Sequence, residues 1–379
     1  MKLVANQDQL DLQAMSAAVL AKQCPISMVR ELAEPMSGSS PDKLMTALAE
    51  VGVLGLANDE EYGGGGASLY ELGVFFREAG RVLCPSIVYS TLKFGIAVGR
   101  LATSEQRRRY LPALAEGRLR AGVAAWNPGD AGDIRPTLTA TPAPGGWLLN
   151  GTLPFAVNAS MSDVVLVTAR TSVFAEPVRL ICAFVEPTAE GWNAVPLSNM
   201  SGERLSRVEL VDVFASDAAV SLGGSGNGLS ADDLRWVANA AVALQCMEMA
   251  GGGAAVLDRT VDYIAQREQF GRPIGSFQAA QHIVADMHIA LEGARLAAAH
   301  AVWWVARGES ATRAVAIAKM QCNEAYKRAT LDAHQLHGGM GYVLETDLHL
   351  WSERAKVTEI RYGTADIAAG WLQKELNLA

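Results

Sequence analysis

The chain has 379 residues, half of them hydrophobic and 19% charged, with a formal net charge of -8. That composition is globular, long enough for two or three domains with a large buried core, and far from the disordered range. The acidic balance argues against nucleic acid as a partner, because no basic surplus exists to neutralise phosphates, yet a small anionic ligand needs only a few well-placed donors.

Five scattered cysteines (Cys24, Cys84, Cys182, Cys246, Cys322) lack metal-ligand spacing and fit buried thiols in a reducing compartment. No charged segment followed by an apolar core opens the chain, so no signal peptide is expected. The longest apolar run, residues 237–257, is interrupted by Asn239, Gln245, Glu248 and glycines, and is expected to be a buried helix rather than a membrane span. A cytoplasmic location follows as an expectation.

Up to about residue 120 the chain reads as helical. Apolar residues recur at three and four in 10–24, 41–51 and 68–79, punctuated by glycines at 63–66 and by Pro85 and Pro112. From 121 to 224 the period changes. Residues 163–170, 178–185 and 208–213 are β-branched or alternating runs separated by turn-forming clusters such as 142–146, which predicts a small sandwich or barrel. From 225 helical periodicity returns near 229–266, 276–307, 309–337 and 345–375, with breakers at 271–275 and 338–341. Such short connections favour antiparallel neighbours in a four-helix bundle. The predicted fold is mainly α with a central β domain: helical to 120, β over 121–224, and a helical bundle over 225–379.

The bundle carries the most specific motifs. Gln266-Arg267-Glu268-Gln269-Phe270-Gly271-Arg272-Pro273-Ile274-Gly275-Ser276-Phe277-Gln278 closes one helix and opens the next. Further on come Gln335-Leu336-His337-Gly338-Gly339-Met340-Gly341-Tyr342 and then Gly363-Thr364. In order and spacing these motifs resemble the acyl-CoA dehydrogenase family. The likeness extends to Asp59-Glu60-Glu61-Tyr62-Gly63-Gly64 and Asn150-Gly151, and so spans essentially the whole chain.

The resemblance implies an FAD-dependent α,β-desaturation of an acyl-CoA thioester. It assigns Arg267, Phe270, Gln278, Gln335, Gly338 and Gly339 to contacts with an FAD held mainly by a neighbouring subunit, with Thr364 and Phe155 also at the cofactor. The chemistry agrees: a fixed guanidinium beside glycine-lined backbone N–H groups suits a diphosphate. The alternative is that Arg267 pairs with a carboxylate and the glycines only make a turn.

Two departures from the family pattern stand out. Where the family carries Thr-Glu-Pro-x-x-Gly-Ser-Asp, this chain has Trp126-Asn127-Pro128-Gly129-Asp130-Ala131-Gly132-Asp133, so both hydroxyl donors are replaced, by Trp126 and Gly132. The hydroxyl-bearing neighbour of the flavin-stacking aromatic becomes Val157, within a retained Asn150-Gly151…Asn158 frame. The second departure concerns the base that removes the α-proton. The family's usual position is Tyr362 here, and its minority position is about Ala241. Glu248, the only ionisable group between Arg235 and Asp258, is the remaining candidate base; its alternative is a structural glutamate paired with an arginine of an adjacent helix.

Other residues carry weaker signals. His334 and His337 lie three apart without a completing ligand, so no metal is expected. Asp347 and His349 could cap or line the cleft, and adjacent Trp303 and Trp304 are expected to face the core and an interface. Ala240 and Ala241 hint at room for a bulky acyl chain. Three functions follow: a self-sufficient dehydrogenase; a subunit completing a homologous partner's FAD site, as in the paired dehydrogenases of steroid side-chain thioesters; or a scaffold that keeps only the fold. The expected partners are acyl-CoA, an electron-transfer flavoprotein as oxidant, and a homologous subunit in a homo- or hetero-tetramer.

Overall fold

The computed structural model describes residues 4–34, 39–171, 178–223, 226 and 228–378; the expected boundary at 224/225 lies outside the described residues. The chain divides into two units: one is formed by Arg30–Leu72 and Pro85–Ala241, the other by the segment ending at Val29, Gly73–Cys84 and the segment from Val242 onward.

The helices α1 (Gln7–Gln23), α2 (Ile26–Ala33), α3 (Asp42–Glu50), α4 (Leu69–Arg81), α5 (Ser86–Leu101) and α6 (Ser104–Ala115) come first. Local sequence sets their starts: reciprocal capping boxes, Asn6 with Gln9 and Thr103 with Gln106, satisfy the first backbone N–H groups of α1 and α6. Eight strands follow: β1 (Ala121–Ala124), β2 (Leu138–Ala143), β3 (Gly146–Val157), β4 (Val164–Thr171), β5 (Leu180–Val185), β6 (Trp192–Leu197), β7 (Leu205–Ser216) and β8 (Val220–Ser221). They form one mixed sheet in the order β6-β7-β3-β2-β4-β5-β8, with β1 parallel alongside β4.

Leu149, Val167, Ile181 and Leu210, from four different strands, share a single core, and β5 and β7 are in contact although three strands separate them in the order, so the sheet is folded over on itself. Two asparagines shape it. Asn150 exchanges hydrogen bonds with Asp212 across the β3–β7 bulge, at 2.8 and 2.9 Å. Asn158, buried with φ +58°, binds Ser86 and Ser90 of α5 through its side chain and the Arg204 carbonyl through its backbone N–H. The Asn150-Gly151…Asn158 frame is thus a device of the sheet.

After the sheet come α7 (Ala231–Gln266), the two-residue strands β9 (Glu268–Gln269) and β10 (Arg272–Pro273), then α8 (Gln278–Val305), α9 (Thr312–His337), α10 (Leu348–Ile360) and α11 (Ala365–Glu375). By length and composition α7 could cross a membrane, but its apolar window is 89% buried within the protein, as expected of a core helix. Glycines bring α4 and α7 together: a methyl on Gly251 would overlap the Arg77 carbonyl, and one on Gly80 the Glu248 carbonyl. The stretch expected as one helix over 345–375 is two. Tyr362 (φ +66°) and Gly363 (φ +136°) break it, and buried side chains of α9 hold the break. Lys319 donates to the Thr358 carbonyl at 2.5 Å, and Asn323 donates to the Gly363 carbonyl at 3.2 Å. Burial brings the Lys319 ammonium down to a pKa of about 8.

Candidate cofactor site

The bundle unit holds most of the residues singled out from sequence. Arg267 follows the last turn of α7, its backbone N–H bonded to the Tyr263 carbonyl at 2.8 Å, and its own carbonyl accepts from Ile274 N–H at 2.8 Å. Those two bonds fix the base of the β9–β10 hairpin, whose two-residue turn is Phe270-Gly271 with φ of +55° and +77°. Gly271 suits that turn. Phe270 does not: a bulky side chain in the left-handed region is strained, and this one is 93% exposed. Arg272 stacks on Phe277 at 4.1 Å, whereas the exposed Arg267 guanidinium makes no ion pair or side-chain hydrogen bond among the described residues. Gln278, first residue of α8, is also exposed.

The second cluster lies at the end of α9. Gln335 is exposed, and the helix stops at Gly338, whose φ of +58° and ψ of -136° favour glycine. A methyl on Gly338 or Gly339 would meet no atom within 4 Å. Packing therefore does not require these glycines, and the space beside them is open to a ligand. Thr364 caps α11, its hydroxyl accepting from Ile367 N–H.

In the sheet unit, Phe155 is 53% exposed on the irregular stretch of β3 between Leu153 and Ala156. The Trp126–Asp133 loop closes on itself. Asn127 and Asp130 side chains accept from Gly129 and Gly132 N–H, Asp133 holds Arg135 with three hydrogen bonds, and Arg235 donates to the Ala131 carbonyl at 3.0 Å. Arg135 beside Asp133 holds that carboxyl below the usual carboxylate range. Polar groups of the loop are thus largely used internally.

Glu248 is not placed as a base. It is 3% exposed, and its carboxylate lies 2.9 Å from Arg354 Nη1 of α10, which also donates to the Cys84 carbonyl at 3.4 Å. A buried carboxylate bound to a guanidinium is already occupied, which is the structural alternative rather than the catalytic one. Ala240 and Ala241 are buried in α7. A carboxylate the sequence did not flag is Glu353, half-buried, whose acid is pushed up by burial.

The histidines are packing groups. His337 stacks on Tyr263 with ring centroids 4.2 Å apart, and His334 stacks on Tyr342 at 4.8 Å. Among the described residues no group of three or more potential ligands could hold a metal ion. Asp347 stands at the start of α10 with φ +60°, its carbonyl accepting from Leu350 N–H at 3.0 Å. Trp303 and Trp304 are both half-buried and pack edge-to-face, with Arg307 over Trp303, so they do not divide into a core and a surface residue.

The chain is helical, then β, then helical, and its bundle unit presents a guanidinium unpaired among the described residues, a strained exposed aromatic and an open glycine corner. The family profile "Acyl-CoA dehydrogenase, C-terminal domain" matches residues 235–376, and "Acyl-CoA dehydrogenase, N-terminal domain" matches residues 6–118. The probable acyl-CoA dehydrogenase YngJ of Bacillus subtilis (strain 168) is 30% identical over 343 residues, covering 87% of this chain and 88% of the relative. The ChsE4–ChsE5 complex from Mycobacterium tuberculosis superimposes with a TM-score of 0.88 at 25% identity over 100% of both chains. A Tcur3481–Tcur3483 steroid ACAD gives a TM-score of 0.85 at 26% identity over 98% of both. The chain belongs to the acyl-CoA dehydrogenase family, an FAD-dependent class acting on CH–CH bonds.

Proposed function

We propose that this chain is the FAD-completing subunit of a hetero-oligomeric acyl-CoA dehydrogenase that desaturates the α,β bond of a bulky, steroid-like acyl-CoA thioester. The observation that carries the reading is a division of its chemistry. The exposed Arg267 guanidinium lacks an ion-pair partner among the described residues, while the carboxylate nearest to a base role, Glu248, is bound to Arg354. A diphosphate receptor in a chain whose candidate base is already paired is what a completing subunit needs and what a self-sufficient enzyme does not.

Arg267, with the N–H groups of the Gly338–Gly339 corner, would hold the FAD diphosphate. Phe270 would lie against the cofactor, and Gln278 and Gln335 would supply further donors. The bound FAD would supply the hydride acceptor for the β-carbon. The base that takes the α-proton belongs to the homologous partner in this reading, since Tyr362 and Ala241 occupy the family's two base positions. The names of two structural relatives support the assembly and the substrate class: one is a two-protein complex and another a steroid ACAD. An electron-transfer flavoprotein as oxidant and a cytoplasmic location complete the proposal.

Flavin content decides among the readings. Expressed alone, this chain should purify colourless, and co-expressed with a homologous partner it should yield a yellow complex that bleaches with acyl-CoA. A yellow, active protein from the single chain would establish self-sufficiency instead. No flavin with any homologous partner would leave a scaffold.

A further inference from the structure

The two halves of the receptor lie on different helices, Arg267 beyond the end of α7 and Gly338–Gly339 at the end of α9. A diphosphate has a fixed span, so the two must be held at a set separation. Tyr263 touches both, its backbone at Arg267 and its ring at His337. Tyr263, half-buried, sits one turn before Arg267 and accepts its backbone N–H through the Tyr263 carbonyl at 2.8 Å. Its ring lies against that of His337, the residue preceding Gly338, with centroids 4.2 Å apart and planes 17° from parallel. Its hydroxyl also donates to the His337 carbonyl at 3.4 Å, a long bond.

The other ring is itself fixed. His337 is buried, and its Nδ1 lies 2.8 Å from the Ala333 carbonyl oxygen. A carbonyl only accepts, so Nδ1 carries the proton, which sets the tautomer and orientation of the imidazole. Beyond the glycines, Tyr342 stacks on His334, whose Nε2 lies 2.7 Å from Ser352 Oγ on α10. The glycine corner is therefore bracketed by two phenol–imidazole stacks, and only the Tyr263–His337 stack reaches α7.

We propose that Tyr263 is a positioning residue that sets the Arg267 corner against the Gly338–Gly339 backbone, so that both grip one diphosphate. This rests on the FAD-receptor reading above. Tyr263 touches no cofactor in this account; it acts through Arg267 and His337. Packing strength resides in the stacked ring, and the long hydroxyl bond adds little.

The test measures the FAD dissociation constant of the complex with the homologous partner, by quenching of flavin fluorescence, for Tyr263→Leu, Tyr263→Phe, Arg267→Ala and the Tyr263→Leu/Arg267→Ala double variant. Tyr263→Leu should weaken FAD binding about tenfold, and Tyr263→Phe, which keeps the stack, should stay within about twofold. In the Arg267→Ala background, Tyr263→Leu should add less than about twofold, because positioning matters only while the guanidinium is present. His337→Ala, which removes the same stack from the other helix, should match Tyr263→Leu and keeps the test available if that variant folds poorly. A full tenfold loss in both backgrounds, or equal losses for Leu and Phe, would overturn the positioning role. So would wild-type binding by Tyr263→Leu beside weakened binding by Arg267→Ala. Unchanged binding by Arg267→Ala would instead overturn the receptor reading itself.

Discussion

Arg354 Nη1 lies 2.9 Å from the Glu248 carboxylate, and both side chains are more than nine-tenths buried. Removing one charge of such a pair strands the other in a low-dielectric interior. Glu248→Gln should therefore destabilise the protein by about 3 kcal/mol or more, whereas replacing both partners by apolar residues, Glu248→Met with Arg354→Leu, should recover most of that loss. Thermal unfolding of the three variants measures this. A Glu248→Gln protein of unchanged stability, whose assembled flavin no longer bleaches with acyl-CoA, would restore Glu248 as the base.

Arg267 is exposed and unpaired among the described residues, so its loss should barely change stability. Arg267→Ala should weaken FAD retention by about 10- to 100-fold, the range for a hydrogen bond to a charged group. Arg267→Lys should fall between, since an ammonium keeps the charge and loses the planar fork. Flavin remaining after gel filtration of each complex is the readout.

The two glycines at the end of α9 separate backbone demands from ligand space. Gly338 has φ +58°, so Gly338→Ala should cost about 1 kcal/mol of stability as well as FAD affinity. Gly339 has no positive φ, and a methyl there meets nothing within 4 Å. Gly339→Ala should leave the unfolding midpoint unchanged yet lower FAD affinity. An affinity equal to wild type would mean the open space is not used by the cofactor.

Burial lowers the pKa of both His334 and His337 from 6.5. The folded state thus binds protons less readily than the unfolded chain, so their contribution is complete above pH 6.5 and is lost as pH falls through the lowered values. Carboxylates held down by partners, such as Asp42 and Glu292, lose theirs at still lower pH, below 3.8 and 4.5 respectively. Unfolding midpoints should begin to decline just below pH 6.5, and His337→Phe, which keeps a ring against Tyr263, should flatten that first decline. An identical slope in the variant would remove His337 as its source.

How far the sequence foretold the structure varies by element. The long periods of α7, α8 and α9 were legible because their apolar faces repeat over many turns and end at glycine-containing breakers. β3 was not. Asn150-Gly151 and Pro154 interrupt its alternation where bulges re-aim the strand, so a period-two reading fails there. The break between α10 and α11 was hidden because Tyr362 adopts a left-handed backbone that its residue type does not announce. In the site, Arg267 and Gly338–Gly339 carry motif spacing, but the partner of Glu248 is 106 residues away, and no local pattern points to it. Tyr263 could have been noticed, lying in the last turn of α7 four residues before Arg267. His337 gave a histidine signal and turned out to be the ring beneath it.

The bundle unit is assembled from three separated stretches of chain, the segment ending at Val29, Gly73–Cys84 and everything after Ala241. During synthesis the first two leave the ribosome long before the third exists. At ordinary elongation speeds that interval is on the order of 10–30 s. Throughout it, the apolar side of α4 has no α7 to cover it, and Gly80 awaits a neighbour not yet translated. A nascent chain in that condition is a natural client for holding chaperones, and slowing translation across residues 85–241 should raise its aggregation rather than help it fold.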